Sequence, residues 1–315
     1  MTWLAWRDSP WRRLKHWRQS SPQSNPKAPS LSVLAREESP CSSASLPSVA
    51  KAVREGAHVF ASVRKQADAD SLKAEFGEAV TPLLFDVADE AAVRAGAAQV
   101  AAALGNRKLF GLLNNAGIAV AGPLLHLDTD ELRKQFEINF FGVHNVTRAF
   151  ADLLGADKSR TGKPGRIVMI SSVGGQNGSP FVGPYSASKF AMEGYSQSLR
   201  RELMLYGIDV IVVGPGAIAT PIWDKAGEGD LTRFSNTDYA PMLKGVENYM
   251  LAQGRAGLPA SDVGDLVWFC FTDPKPKTRY RILRNEFMDV TLPNLIGPRA
   301  VDKVIAKRLG FPKPK

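Results

Sequence analysis

A phenol and an ammonium stand four residues apart in Pro184-Tyr185-Ser186-Ala187-Ser188-Lys189. The hexapeptide opens an apolar-periodic run, and on a helix that spacing puts both groups on one face. A free tyrosine ionises near ~10 and is a poor base at neutral pH, but a neighbouring cation favours the phenolate. Lys189 supplies such a cation. Upstream, Ser171 and Ser172 follow the apolar stretch Arg166-Ile167-Val168-Met169-Ile170, and a hydroxyl at a strand end can hold a substrate oxygen beside the phenol. Together the groups could move a proton to or from that oxygen. A tyrosine and a lysine so spaced on an isolated amphipathic helix are more simply a packed ring and a solvated amine, so the elements that position them carry the argument.

Those elements alternate. Strand patterns fall at 57–63, 81–85, 109–113, 166–171 and 208–213, with helical patterns at 46–53, 68–76, 90–104, 129–154 and 185–206. Strands separated by helices predict an α/β fold, a doubly wound parallel sheet of the dinucleotide-binding kind, covered on both faces. After Thr220 the pattern breaks for about twenty residues containing Gly227, Gly229 and Pro241. Helical patterns return at 242–253 and 261–271, and 280–283 reads as a last strand. From Pro293 onward, Arg299, Lys303, Lys307 and Arg308 alternate with Val301, Val304, Ile305 and Leu309 as a basic amphipathic helix. Such a helix suits a solvated surface, a partner subunit or lipid head groups.

Further motifs surround the pair: Leu112-Leu113-Asn114-Asn115-Ala116-Gly117, Asn139 in Ile138-Asn139-Phe140-Phe141-Gly142, and Pro215-Gly216-Ala217-Ile218-Ala219-Thr220. In this order and spacing the chain resembles the short-chain dehydrogenase/reductase family over about residues 46–275, and is similar to its hydroxysteroid and retinol dehydrogenase branch. The resemblance implies reversible hydride transfer between nicotinamide and an alcohol or carbonyl carbon, with Tyr185 handling the proton and Ser172, preferred by spacing over Ser171, holding the oxygen. Lys189 would bind the nicotinamide ribose and depress the tyrosine pKa, and Asn139 would fix a water leading to solvent. Asp86 and Val87 would meet the adenine, Asn115, Ala116 and Gly117 the adenosine ribose, and Pro215, Gly216, Ile218 and Thr220 the nicotinamide end. Where relatives preferring NAD carry an acid stands Val63, followed by Arg64 and Lys65, which favours NADP(H) over NAD(H). The resemblance also implies a lid after Thr220, a homodimer or homotetramer through 129–154 and 185–206, and a lipophilic substrate of steroid, retinoid or fatty type. Gln176, Phe181 and Trp223 would line its pocket beside Ser172.

One expected feature is missing. A dinucleotide turn needs glycines so that pyrophosphate can approach a helix N-terminus. The family spacing places them on Ser39, Ser43 and Ser45; a register shifted by one gives Pro40, Ala44 and Leu46. Each serine forced into a left-handed conformation would cost roughly 1–2 kcal/mol, and Glu37 and Glu38 would repel phosphate. The readings are a diverged turn that binds weakly, a cofactor-deficient relative acting as an interaction protein, or a local reading-frame error upstream of about Leu46. The abrupt end of the resemblance favours the last.

Length and composition fit one large domain with appendages: 315 residues, 44% of them apolar. The expected division is a disordered basic segment at 1–30, the dinucleotide-binding domain at 31–275 and an extension at 276–315. Cys41 and Cys270 form no disulfide framework and no metal-ligand spacing, which points to a reducing, cytoplasmic setting. The net charge of +9 gathers toward the termini rather than on a nucleic-acid module, so nucleic acid is not an expected partner. Trp3, Trp6, Trp11 and Trp17 lie among Arg7, Arg12, Arg13, Lys15 and Arg18, a pattern that suits an organelle-targeting segment, peripheral membrane contact within 1–20, or an untethered tail.

Overall fold

Strands covered on both faces need apolar side chains on both, and this chain supplies them in runs: Leu112 and Leu113, Ile167 through Met169, and Val210 through Val213 are all buried. The computed structural model describes residues 30–34, 45–219 and 231–311. In chain order these form β1 (Ser30–Leu34), α1 (Ser45–Arg54), β2 (His58–Val63), α2 (Gln66–Phe76), β3 (Val80–Leu84), α3 (Glu90–Leu104) and β4 (Gly111–Asn114). There follow α4 (Thr129–Phe136), α5 (Gly142–Ala151), β5 (Arg166–Ile170), α6 (Gly183–Glu202), β6 (Asp209–Pro215) and β7 (Ile218–Ala219). The last elements are α7 (Ala240–Arg255), β8 (Leu258–Pro259), α8 (Ala260–Thr272), β9 (Arg279–Ile282), α9 (Leu292–Ile296) and α10 (Pro298–Leu309).

Seven strands make one parallel sheet in the order β3-β2-β1-β4-β5-β6-β9. The chain winds outward from β1 in one direction and, from β4, in the other. In sheets of this kind ligands bind at the carboxyl ends of the strands on either side of such a turning point, here β1 and β4. Alternate residues of β2, β4, β5 and β6 feed two cores. Val59, Ala61, Val168 and Val213 pack with Val49 and Ala52 of α1 and Val263, Val267 and Phe271 of α8. Phe60, Leu112, Met169 and Val212 pack with Val93 and Val100 of α3, Phe150 of α5 and Met192 of α6. Each fully buried side chain of this size contributes roughly 1.5–3 kcal/mol. A third, smaller core of Phe181, Phe234, Met242, Val246 and Met250 takes in Leu309 and Phe311 behind α10.

Several expectations shift. The serine-bearing segment before the missing glycine turn forms a central strand, β1, hydrogen-bonded between β2 and β4, because both neighbours offer it a complete ladder. The helix expected at 129–154 is continuous but not uniformly α: α4, opened by a capping box of Asp128 and Glu131, passes through a π turn at Glu137–Phe141 into α5, and a second π turn follows at Asp152–Ala156. Apolar periodicity does not distinguish a wider turn from an α turn. The sheet also runs past the expected domain limit at 275, since β9 pairs in register with β6 from Val212 opposite Arg279 to Pro215 opposite Ile282. No described helix is long and apolar enough to cross a membrane.

Candidate active site at the carboxyl end of the sheet

β5 ends by delivering two serines to different places. The Ser171 amide donates to the Val213 carbonyl at 2.8 Å, and its hydroxyl is buried where a Cβ on Gly175 would stand only 2.8 Å away. Ser172, at the start of the tight turn Val173–Gly175, lies at the cavity surface; its Oγ accepts from the Gly174 amide at 3.0 Å and sits 3.4 Å from the Pro215 carbonyl oxygen. The turn leads to α6, whose first turn holds Pro184, a position where a missing amide hydrogen costs nothing. The next residue, Tyr185, and Lys189 one turn further in lie on the inner face of α6.

Lys189 is 3% exposed and its Nζ donates to the Ile170 carbonyl at 2.7 Å, lying 5.7 Å from the centre of the Tyr185 ring. Burial lowers the Lys189 pKa to about 8, opposed by the negative charge of Glu193 one turn along α6. Burial raises the Tyr185 phenol, and a hydrogen bond with Ser172 works against that rise. The expected depression of the phenol by Lys189 is therefore absent in the chain alone. Desolvation outweighs the nearby hydroxyl, and the ammonium is turned to the Ile170 carbonyl.

Asn139 sits inside the π turn, fully buried. Its Oδ1 accepts from the Ile118 amide at 2.8 Å, and its Nδ2 donates to the Ile118 carbonyl at 3.0 Å and the Ser188 hydroxyl at 3.1 Å. These bonds tie the strand-end stretch after β4 to α6. Wider turns of this kind recur at functional sites, where one extra residue re-aims a side chain. Glu193 forms a largely buried ion pair with Arg279 of β9, linking the helix of Tyr185 and Lys189 to the sheet edge. Sequence reading misses both: the glutamate looks like an ordinary polar position on α6, and its partner lies 86 residues away.

The cofactor-side positions fall along the strand ends. Arg64 follows β2 with its guanidinium 3.9 Å from the Asp86 carboxylate, and Lys65, exposed, precedes α2. Asp86 also accepts from the Ala88 amide at 3.0 Å. Val87 is buried against Gly142, where a Cβ would approach within 2.6 Å. Asn115 is half-buried and Ala116 buried, and Gly117 lies against Asn139, with 3.3 Å between a would-be Cβ and Oδ1. Pro215 ends β6, the Gly216 amide donates to the Ile282 carbonyl at 2.9 Å, and Ile218 is buried in the short β7–β8 ladder. Ser45 begins α1. Ser39, Ser43, Thr220 and Trp223 lie outside the described residues.

A cavity of about 350 Å³ opens beside the Ser172 and Tyr185 side chains. Two residues expected to line it do not. Phe181 is buried in the third core, edge-on to Tyr239 at 5.7 Å and tilted on Phe311 at 6.0 Å, while its neighbours Pro180 and Val182 face the cavity. The Gln176 Oε1 accepts from the Arg281 Nε at 3.0 Å, which keeps that amide on the β9 side. The apolar wall comes instead from Val246, Tyr249 and Met250 of α7 and Val304, Ile305 and Leu309 of α10. The basic amphipathic tail helix thus lays apolar residues along the cavity.

A doubly wound sheet with a hydroxyl, a phenol and a buried ammonium at its carboxyl edge defines a class, and the sequence places the chain in it. Residues 47–230 match the short chain dehydrogenase family, and the chain belongs to that family of oxidoreductases. It is 36% identical to the NADPH-dependent 3-dehydrocapnine reductase of Ornithobacterium rhinotracheale, across 82% of this chain and 91% of that protein. A 3-ketodihydrosphingosine reductase of Bacteroides thetaiotaomicron is 38% identical across 51% of this chain and 57% of its own length. Among solved structures, a short-chain dehydrogenase from Streptomyces avermitilis shares the fold, with a TM-score of 0.67 at 24% identity over 90% of this chain and 95% of that one.

Proposed function

We propose that the chain interconverts a lipophilic alcohol and its carbonyl with NADP(H), using Tyr185, Ser172, Lys189 and Asn139. The observation that carries this reading is that Ser172 and Tyr185 share one apolar cavity while a buried lysine stands behind the phenol. Ser172 holds the reacting oxygen, and Tyr185 gives or takes its proton. As a phenol Tyr185 can protonate a developing alkoxide in carbonyl reduction, and as its anion it can take the proton back in the reverse step. Asn139 holds the Ile118 backbone and Ser188 in place.

The residues present fit a nicotinamide dinucleotide. An ammonium has three donors, and the Ile170 carbonyl takes one from Lys189. The others suit a pair of ribose hydroxyls, whose oxygens would also offset the desolvation of that charge. Arg64 and Lys65 supply cations for a 2′-phosphate at the end of β2. When bound, the nicotinamide supplies or accepts the hydride. The relative named as NADPH-dependent supports the same choice of coenzyme, and the relative named for a 3-keto substrate supports a ketone. The apolar cavity wall supports a lipophilic substrate. Pairing of two or four copies through α4, α5 and α6 goes with the reading, as does a C-terminal extension that follows β9 and contributes cavity wall.

A second reading, an interaction protein that no longer binds coenzyme, draws on Ser39, Ser43 and Ser45 standing where glycines serve the phosphates. Titration of the full chain with NADPH and NADH, followed by coenzyme fluorescence, separates the two. NADPH should bind the more tightly, Tyr185→Phe should keep that binding, and its turnover of ketone probes should fall at least about 10²-fold. Wild-type turnover by Tyr185→Phe, or no NADPH binding at millimolar concentration, would overturn the oxidoreductase mechanism.

A further inference from the structure

The cavity beside Tyr185 carries one charged side chain among its described lining residues, and that residue belongs to the tail helix. Arg308 places its guanidinium carbon 4.5 Å above the centre of the Tyr249 ring, with Val246, Met250, Val304 and Leu309 around it. No acid is among the described residues that line this space. Stacking on the ring uses the flat face of the guanidinium and leaves the N–H groups at its edge able to donate. Arg308 is exposed like its neighbours Lys303 and Lys307 on α10, but of the three only Arg308 lines the cavity. A cation placed only to complement the carbonyl end of α10 would have no need of a cavity wall or an aromatic platform.

We infer that Arg308 is an anion-recognition residue of the substrate site, and that the cavity takes an amphiphile bearing a sulfonate, phosphate or carboxylate on an apolar chain. The inference rests on the cavity being the substrate site proposed above. An apolar wall provides affinity for the chain but no orientation. One guanidinium at its edge fixes which end of the molecule lies at α10, and so which carbon reaches Ser172 and Tyr185. A cationic or purely hydrocarbon substrate would make no use of this cation.

The test measures binding of octyl phosphate, octyl sulfonate, octanoate, 1-octanol and octylammonium to the full chain by calorimetry, with and without NADPH. The anionic probes should bind about tenfold or more tightly than 1-octanol, and octylammonium more weakly than either. Arg308→Gln should remove the anion preference while leaving 1-octanol and NADPH affinity unchanged, and Arg308→Lys should restore part of it. Equal binding of octyl phosphate and 1-octanol, or an Arg308→Gln effect shared by both, would overturn the assignment. NADPH titration and the Tyr185→Phe comparison separate this outcome from failure of the oxidoreductase reading. Arg308-dependent anion binding by a chain that ignores NADPH would overturn the oxidoreductase reading, and with it the cavity's role as a substrate site, leaving only the anion recognition.

Discussion

Lys189→Met isolates the electrostatics of the site in one pH-dependent difference. In the folded chain the ammonium ionises near 8, whereas in the unfolded chain it keeps the ordinary value of 10.5. Below about pH 8 both states hold the proton, and folding bears the full cost of burying the charge. Between the two values the unfolded state binds more protons than the folded one, so stability rises with pH and levels off near 10.5. Integrated from about pH 7 to about pH 9.5, the gain is about 2 kcal/mol for the wild type relative to a variant lacking the amine. The variant also leaves the Ile170 carbonyl without its donor, at a cost of about 1–3 kcal/mol, but that offset does not vary with pH. Tyr185 and Cys270, both raised by burial, are present in both proteins and cancel in the difference. Urea unfolding of the coenzyme-free wild type and Lys189→Met at steps across that range gives the curve directly. A stability difference that stays flat would refute the claim that this lysine ionises early because it is buried.

The pair behind it makes an ordered prediction. Glu193→Gln strips the carboxylate from the buried Lys189 and the partly buried Arg279 and should cost about 3 kcal/mol, whereas Arg279→Met leaves Glu193 still facing Lys189 and should cost less. Urea midpoints of both variants, and of the double variant, which should recover part of the loss, decide it; the reverse order would count against the arrangement. Gly264→Ala should destabilise by about 1–3 kcal/mol despite the better helix propensity of alanine, because its Cβ would stand 2.6 Å from the Pro47 carbonyl oxygen where α8 crosses α1. A thermal melt at or above wild type would show that the two helices can part at no cost.

Local periodicity makes much of this protein legible. Each of the alternating strands and helices repeats a pattern within a few residues, so 90–104 coincides with α3, and 166–171 and 208–213 overlap β5 and β6. Tyr185 and Lys189 are legible for the same reason: four residues along a helix is a fixed geometry wherever the helix goes. The end of β5 likewise announces its serines, although their different surroundings depend on Gly175 and the turn beneath α6. Family resemblance points to Asn139, but the π turn that aims it leaves no mark on apolar spacing. Nearness in sequence to Ser172 assigns the substrate wall to Phe181 and Gln176, and nearness in space gives both of them other partners.

By itself, then, the sequence determined the parallel α/β architecture, the family and the phenol–ammonium pair, since each follows from contacts within one element or from repeated alternation of elements. Only the tertiary structure decided that Glu193 meets Arg279, that burial rather than Lys189 sets the phenol's ionisation, and that α10 brings Arg308 to the cavity. Desolvation and long-range pairing depend on which distant segments cover a group, and that information is spread over the whole chain rather than held in any stretch of it.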